Sequence, residues 1–149
     1  MEFRAKIFEE LSSCEVYEIL KARAKIFVKE QGITYVDEDD VDYRSLHCFF
    51  WENGEVRGYL RAYADEKHGR SVNIGRVLTI NHGQGLGTEL MRRSISCIAE
   101  KMKCDRIRMD AQKHAVPFYE RLGFTVTSGE YLEEGIVHVD MELVVKSKV

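Results

Sequence analysis

The sequence predicts a mixed α/β domain. Three observations carry that expectation. Strand-like and helix-like hydrophobic periods follow in the order strand, helix, three strands, helix, strand, helix, two strands. The chain has 149 residues, enough for one domain with one sizeable core. Hydrophobic residues make up 44% and charged residues 32%, the balance of an ordinary globular chain. Strands and helices do not alternate strictly, so the order is not a uniform βαβ repeat. No internal repeat, low-complexity stretch or linker divides the chain, and residues 1–149 are expected to form a single domain.

The first strand is placed at Phe3 to Phe8. "SSCE" then offers a capping box, Ser12 with Glu15 three residues later. The following helix puts Val16, Ile19, Leu20, Arg23, Ile26 and Phe27 on one face and ends at Gly32. "VDEDDVD", from Val36 to Asp42, is an acidic loop. "LHCFFWENGEVRGYLRAYAD" reads as two strands joined at Asn53-Gly54, a strong two-residue hairpin signal. A strand from Ser71 to Ile80 leads into the glycine-rich "NHGQGLGTELMRR". A helix of about five turns, Gly85 to Met102, comes next. Its buried stripe is Leu86, Leu90, Met91, Ile95, Ile98 and Met102. "DRIRMDA" is a short strand and "AVPFYERLG" a short helix closed by Gly123. "FTVTS" and "IVHVDMELVV" are the closing strands.

Several function classes are disfavoured. A formal net charge of -3 argues against a general nucleic-acid binder. No apolar run is long enough to span a bilayer, and "MEFRAKIFEELSS" lacks the apolar core of a signal peptide, so a cytoplasmic protein without a membrane partner is expected. Cys14, Cys48, Cys97 and Cys104 form no CxxC pair and no His/Cys cluster. They read as reduced, mostly buried thiols, and no metal site is expected.

Gly83, Gly85 and Gly87 alternate just before a helix. A strand, a glycine-rich turn and a helix N-terminus together make an anion site, because free backbone N–H groups and the helix dipole favour negative charge. A dinucleotide-binding fold needs a third glycine where Thr88 stands, and the loop sits past the middle of the chain. A P-loop needs a lysine that is not there. A third reading rests on a resemblance.

"HGQGLGTELM" resembles the R/Q-x-x-G-x-G/A signature of the GNAT superfamily of N-acetyltransferases, with His82 where Arg or Gln is usual. Further on, "AQKHAVPFYERLGF" resembles the second motif of that superfamily, N-x-x-A-x-x-F-Y-x-x-x-G-F. Gln112 stands in for Asn, while Ala115, Phe118, Tyr119, Gly123 and Phe124 match. "KARAKIFVKEQGI" and "YLEEGIVHVDMEL" resemble the ElaA-like and YjcF-like branch. The resemblance implies a central mixed sheet of about six to seven strands, splayed in the middle, with helices on both faces. It implies acetyl-coenzyme A as co-substrate and an amine as acceptor.

Roles follow by the same resemblance. Val77, Leu78 and Thr79 are expected to present main-chain groups to the pantetheine arm and thioester. Gly83, Gln84, Gly85, Gly87 and Thr88 are expected at the pyrophosphate, with Gln112 and Phe118 completing the cofactor site. Tyr119 is the candidate general acid for the departing thiolate, the alternative being a packed ring with a satisfied hydroxyl. His138 shares a strand face with Ile136 and Asp140 and is the candidate base, the alternative being a strand-edge residue without chemistry. His47, His68, His82 and His114 join no nucleophile or metal group. Arg23 and Arg76 interrupt apolar faces, so each needs either a structural partner or an anionic substrate group such as a carboxylate. The acidic loop is either solvated or attractive to a cationic amine. Arg57, Tyr59, Arg61 and Tyr63 alternate on one strand face and either rim the pocket or face water. No cysteine sits in either motif, so transfer is expected to be direct. The expected activity is acetylation of a primary amine on a small, possibly carboxylate-bearing metabolite. The alternatives are acetylation of a protein lysine or N-terminus, or a non-catalytic coenzyme A-binding module. A homodimer through the closing strands is a further possibility raised by the resemblance.

Overall fold

The computed structural model describes residues 1–34, 36–81 and 85–145. It begins with β1 (Glu2–Ile7), one residue earlier than expected at each end. Helix α1 (Ser13–Arg23) starts with the capping box read from the sequence. The Ser12 hydroxyl accepts from the Glu15 N–H at 3.0 Å, and the Glu15 carboxylate accepts from the Ser12 N–H at 2.8 Å. Arg4 and Lys6 of β1 donate to the same carboxylate at 2.9 and 3.0 Å, so Glu15 is buried yet fully paired. Burial works to raise the Glu15 pKa, but the Ser12 amide, Lys6 and Arg4 outweigh it and hold the carboxylate below its ordinary range.

Past Arg23 the helix widens into a π-helical stretch, Ala24–Glu30, closed by Gly32 at φ +66°. Ile19, Ala22, Arg23, Ile26 and Phe27 are all buried on the side that meets the sheet.

The chain continues through β2 (Leu46–Glu52), β3 (Glu55–Asp65), β4 (Ser71–Thr79), α2 (Leu86–Met102), β5 (Arg106–Gln112) and α3 (Val116–Arg121). It ends with β6 (Thr125–Val126), β7 (Tyr131–Glu133) and β8 (Ile136–Val144). The eight strands form one sheet in the order β1-β2-β3-β4-β5-β8-β6, with β7 also on β8. All pairings are antiparallel except β4 with β5.

The turn between β2 and β3 has Asn53 at φ +51° and Gly54 at φ +76°, the doubly left-handed geometry that Asn-Gly favours. The eighth strand is a correction to the expected six or seven. Glu134 at φ +51° and Gly135 at φ +74° repeat the same two-residue turn and fold β7 onto β8. Glu-Gly is a weaker turn signal than Asn-Gly, because only its second residue adopts positive φ without cost.

Side-chain alternation sorts the core onto two faces. On one, Cys48, Phe50, Leu60 and Ile107 pack with Leu90, Met91 and Ile98 of α2 and Tyr119 of α3. On the other, Phe49, Tyr59 and Leu78 pack with Ile19, Ala22, Ile26 and Phe27. Helices therefore cover both faces, as the resemblance implies. All four cysteines are free thiols; Cys48 and Cys104 are buried, but Cys14 is exposed at the start of α1, correcting the expectation of mostly buried thiols. No helix among the described residues is long and apolar enough to cross a membrane.

Candidate active site

The sheet opens between β4 and β5. These strands pair only at Ser71↔Arg106, Val72↔Ile107 and Asn73↔Arg108. Beyond Asn73 they part. On its other edge, β4 keeps its pairing with β3 through a bulge, because the register shifts between Tyr59↔Leu78 and Arg61↔Gly75. Arg76 sits in that bulge at φ +53°, a conformation a branched-free but bulky side chain adopts only when its surroundings demand it. A bulge bends and twists its strand, which turns the end of β4 away from β5. The gap is a cavity of 660 Å³ whose walls include Ile74 to Val77 of β4 and Met109 to Gln112 of β5. Val77 lines it; Leu78 is buried on the opposite face, so only its main chain is available there.

Past the end of β4, Gly85 caps α2 at φ +70°, with open space where a Cβ would stand. Gly87 serves a different purpose. A Cβ there would lie 3.4 Å from Phe118 Cζ and 3.8 Å from Thr79 Cγ2. Phe118 of α3 thus lies against the first turn of α2, at a distance where a Cβ would make an ordinary contact. The N–H groups of Leu86, Gly87 and Thr88 have no intrahelical acceptor, by the geometry of any helix start. Gly83 and Gln84, together with His82, lie outside the described residues.

Tyr119 lines the cavity and is 8% exposed. Its ring packs edge-on against Phe118 and Phe124, and its hydroxyl has no hydrogen-bond partner among the described residues. Burial pushes its pKa up to about 12, so the phenol stays protonated at neutral pH. His138 also lines the cavity. Its Nδ1 lies 2.8 Å from the Ile136 carbonyl, which can only accept, so Nδ1 carries a proton and the tautomer this contact selects has its lone pair at Nε2. That Nε2 stands 3.7 Å from Glu133 Oε2, and the ring stacks on Tyr131.

The antiparallel register of β5 and β8 sets Arg108 opposite Glu142, Asp110 opposite Asp140, and Gln112 opposite His138. All but Glu142 line the cavity. Gln112 also donates to Gln31 Oε1 at 3.1 Å, linking the end of β5 to the end of the π-helical stretch. Tyr131 donates to Asp140 Oδ1 at 2.6 Å. Asp110, Tyr131 and Glu133 are absent from the sequence-based site. Only the period-2 alternation of "RIRMDAQ" hints at Asp110, and nothing local reveals that it faces Asp140.

Both interrupting arginines grip acids of this chain. Arg23 donates from Nε to Asp37 Oδ2 at 2.8 Å, from Nη1 to Asp42 Oδ1 at 2.7 Å, and from Nη2 to the Asp37 carbonyl at 2.9 Å. Arg76 donates to Asp37 Oδ1 at 2.8 Å and to the Asp37 carbonyl at 3.0 Å. Arg61 holds Asp39 with two bonds of 2.6 and 2.7 Å and reaches Asp42 Oδ1 at 3.1 Å. Arg76 and Arg61 line the main cavity, whereas Arg23 borders a separate hollow of 140 Å³ beside Ile19 and His47. The acidic loop is thus a counterion for a buried arginine cluster. Arg61 brings the Asp39 pKa down to about 2. Burial alone would raise Asp42, but Arg23 and Arg61 outweigh it and keep it below the ordinary range. On the β3 face, Tyr59 and Arg61 are buried rather than facing water, and the Tyr59 hydroxyl donates to His47 Nδ1 at 2.7 Å.

Comparison with known proteins agrees with this geometry. The family model for the acetyltransferase (GNAT) domain matches residues 22–145. The chain is 31% identical over 136 residues to the protein ElaA of Escherichia coli, covering 89% of each. It is 31% identical over 147 residues to a UPF0039 protein of Schizosaccharomyces pombe, covering 96% of this chain and 97% of that protein. Among solved structures, an acyl-CoA N-acyltransferase from Pseudomonas aeruginosa aligns with a TM-score of 0.89 at 30% identity, over 97% of this chain and 100% of that one. Escherichia coli ElaA aligns with a TM-score of 0.89 at 29% identity, over 95% and 98%. The splayed sheet, the capped α2 and the family match converge: this chain belongs to the GNAT acetyltransferase family and is an acyltransferase.

Proposed function

We propose that the chain transfers an acetyl group directly from acetyl-coenzyme A to the primary amine of a small metabolite. The observation that carries this reading is the gap between β4 and β5, a cavity lined by both Tyr119 and His138. The fit of the co-substrate is supported by three features of the chain. Gly85 leaves open space at the helix start, the first-turn amides of α2 have no intrahelical acceptor, and β4 has no β5 partner past Asn73. In this reading the amides of Leu86, Gly87 and Thr88 hold the pyrophosphate, and the resemblance assigns Gly83 and Gln84 to the same group. Main-chain groups of Val77, Leu78 and Thr79 line the arm, and Phe118 and Gln112 border it.

The residues divide the chemistry. When bound, the thioester supplies an activated acyl carbon. His138 Nε2 takes the proton that the amine must lose as its nitrogen bonds that carbon. Tyr119 donates its hydroxyl proton to the sulfur as the carbon–sulfur bond breaks. Its raised pKa makes it the weaker acid by about 3 units against an ordinary thiol, about 4 kcal/mol if the proton moved fully to an isolated thiolate. Tyr119 is therefore best suited to hydrogen-bond the sulfur as charge develops, before the proton moves.

Two arginines underlie the expectation of a carboxylate-bearing acceptor, but only Arg76 lines the cavity, and Asp37 already engages it. The proposal accordingly names a small primary amine without requiring a carboxylate. The test is acetylation of an amine panel by the purified chain, read by mass spectrometry alongside calorimetry with acetyl-coenzyme A. Tight binding with no turnover of any amine would favour a coenzyme A-binding module. Turnover of peptides alone would favour protein acetylation.

A further inference from the structure

We propose that Asp37 is a positioning residue for acyl transfer: through Arg76 it fixes the β4 bulge that aims the Val77 amide at the thioester. This rests on the acetyl-coenzyme A reading of the site and deepens it. Seven residues other than glycine have positive φ among the described residues, and Arg76 alone of them lies inside a strand. Arginine is not one of the types that visit the left-handed well readily, as asparagine and aspartate do. Such a conformation persists only where its surroundings over-determine it. Here Asp37 supplies that constraint. Its Oδ1 accepts from Arg76 Nε at 2.8 Å, and its carbonyl accepts from Arg76 Nη2 at 3.0 Å. Asp37 is itself fixed from the other side. Its Oδ2 and the same carbonyl accept from Arg23 at 2.8 and 2.9 Å, and both residues are buried. The Arg76 guanidinium is therefore anchored to α1 across the acidic loop, not to its own strand.

The consequence falls on the next peptide. Tyr59 pairs with Leu78 and Arg61 with Gly75, so Arg76 and Val77 together face Leu60. A bulge of this kind leaves one residue's main-chain groups off the ladder and re-aims the strand. The Val77 N–H belongs to the peptide that follows Arg76, so the dihedrals of Arg76 set its direction. Val77 lines the cavity. A main-chain donor aimed at the thioester oxygen acts where charge develops as the amine attacks, and losing one such donor costs about 10²–10³ in kcat. A misplacement of about 1 Å costs about a hundredfold. Asp37 touches neither reactant in this scheme; it acts through Arg76 on the amide beyond it.

The test compares Arg76→Asn with Arg76→Val in the full chain. Both lose the ion pair with Asp37, but asparagine tolerates the left-handed conformation and a β-branched residue does not. Infrared difference spectroscopy of carbonyl-labelled acetyl-coenzyme A reads the thioester directly, with no acceptor needed, and calorimetry reads its affinity. On binding to the unaltered chain the carbonyl stretch is expected to move to lower frequency. Arg76→Asn keeps that shift; Arg76→Val and Asp37→Asn lose it, while affinity stays within about threefold. With any amine that turns over, kcat falls roughly a hundredfold in Arg76→Val and about tenfold less in Arg76→Asn, with the KM for acetyl-coenzyme A little changed. Should Arg76→Val not fold, Arg76→Ala makes the same contrast without branching at Cβ. The inference is overturned if Arg76→Val keeps the shift, or if asparagine and valine lose it equally. A lower thermal midpoint with kcat per folded chain intact would also overturn it, since Asp37 would then serve stability alone. A bound but unshifted carbonyl in the unaltered chain refutes the positioning role and leaves the co-substrate reading standing. A shifted carbonyl with no amine acetylated does the reverse, and no binding at all removes both.

Discussion

Replacing Arg23 with methionine is expected to destabilise the domain by about 3 kcal/mol. Arg23 is fully buried, and three aspartates, Asp37, Asp39 and Asp42, balance the three guanidinium groups of Arg23, Arg61 and Arg76. Methionine fills similar space but leaves the cluster with one uncompensated negative charge. Removing one partner of a buried ion pair costs about 3–5 kcal/mol. The lower end applies here, because Asp37 keeps Arg76 at 2.8 Å and Asp42 keeps Arg61 at 3.1 Å. For a chain of this size each kcal/mol lowers the thermal midpoint by about 2–4 °C, so a fall of about 6–12 °C is expected. Urea unfolding at pH 7, followed through the fluorescence of Trp51, gives the free energy directly. Adding Asp42→Asn restores neutrality and should recover at least about 1 kcal/mol, a non-additivity that a double-mutant cycle reads. A loss under about 1 kcal/mol, or a double variant that simply adds two losses, would refute the reasoning.

Tyr119→Phe is expected to lower kcat by about a hundredfold or more while leaving acetyl-coenzyme A affinity unchanged by calorimetry, the pattern of a lost proton donor; an unchanged kcat would remove Tyr119 from the chemistry. The depressed pKa values of Asp39 and Asp42 predict the acid response. A carboxylate with a folded pKa below its unfolded value stabilises above the unfolded pKa and loses that contribution as pH falls through the folded one. The thermal midpoint should therefore hold from pH 7 to near 3.8 on their account and fall toward 2, the window set by Asp39; a flat profile across that window would contradict the pairing with Arg61. Gly87→Ala places a methyl 3.4 Å from Phe118 Cζ, an ordinary contact, so unfolding free energy should change by less than about 1 kcal/mol. Affinity for acetyl-coenzyme A should still fall if the first-turn backbone grips the pyrophosphate, and unchanged affinity would confine Gly87 to packing Phe118.

The elements that depend on neighbours in sequence are legible without coordinates. The Ser12–Glu15 box, the Asn53-Gly54 turn and the glycines at 32 and 123 each act within a few residues, where backbone dihedrals and a single hydrogen bond decide the outcome. The two motifs containing Gly85 and Tyr119 are equally local, and they carried the family. The second hairpin, at Glu134-Gly135, escapes because its first residue takes positive φ against its own preference, under the pull of β8.

What the linear chain determines by itself is the set of elements, their caps and turns, and the groups available for chemistry. The tertiary structure alone decides which of those groups meet. Arg23 reaches Asp37 across 14 positions and Arg76 reaches it across 39, while Asp110 finds Asp140 only through the β5–β8 register. A β5–β8 register shifted by one residue would set Asp110 against a different residue on β8, while the arginine pairings depend on where a helix and a loop pack against the sheet, so charge pairing and site composition follow from long-range packing rather than from spacing along the chain.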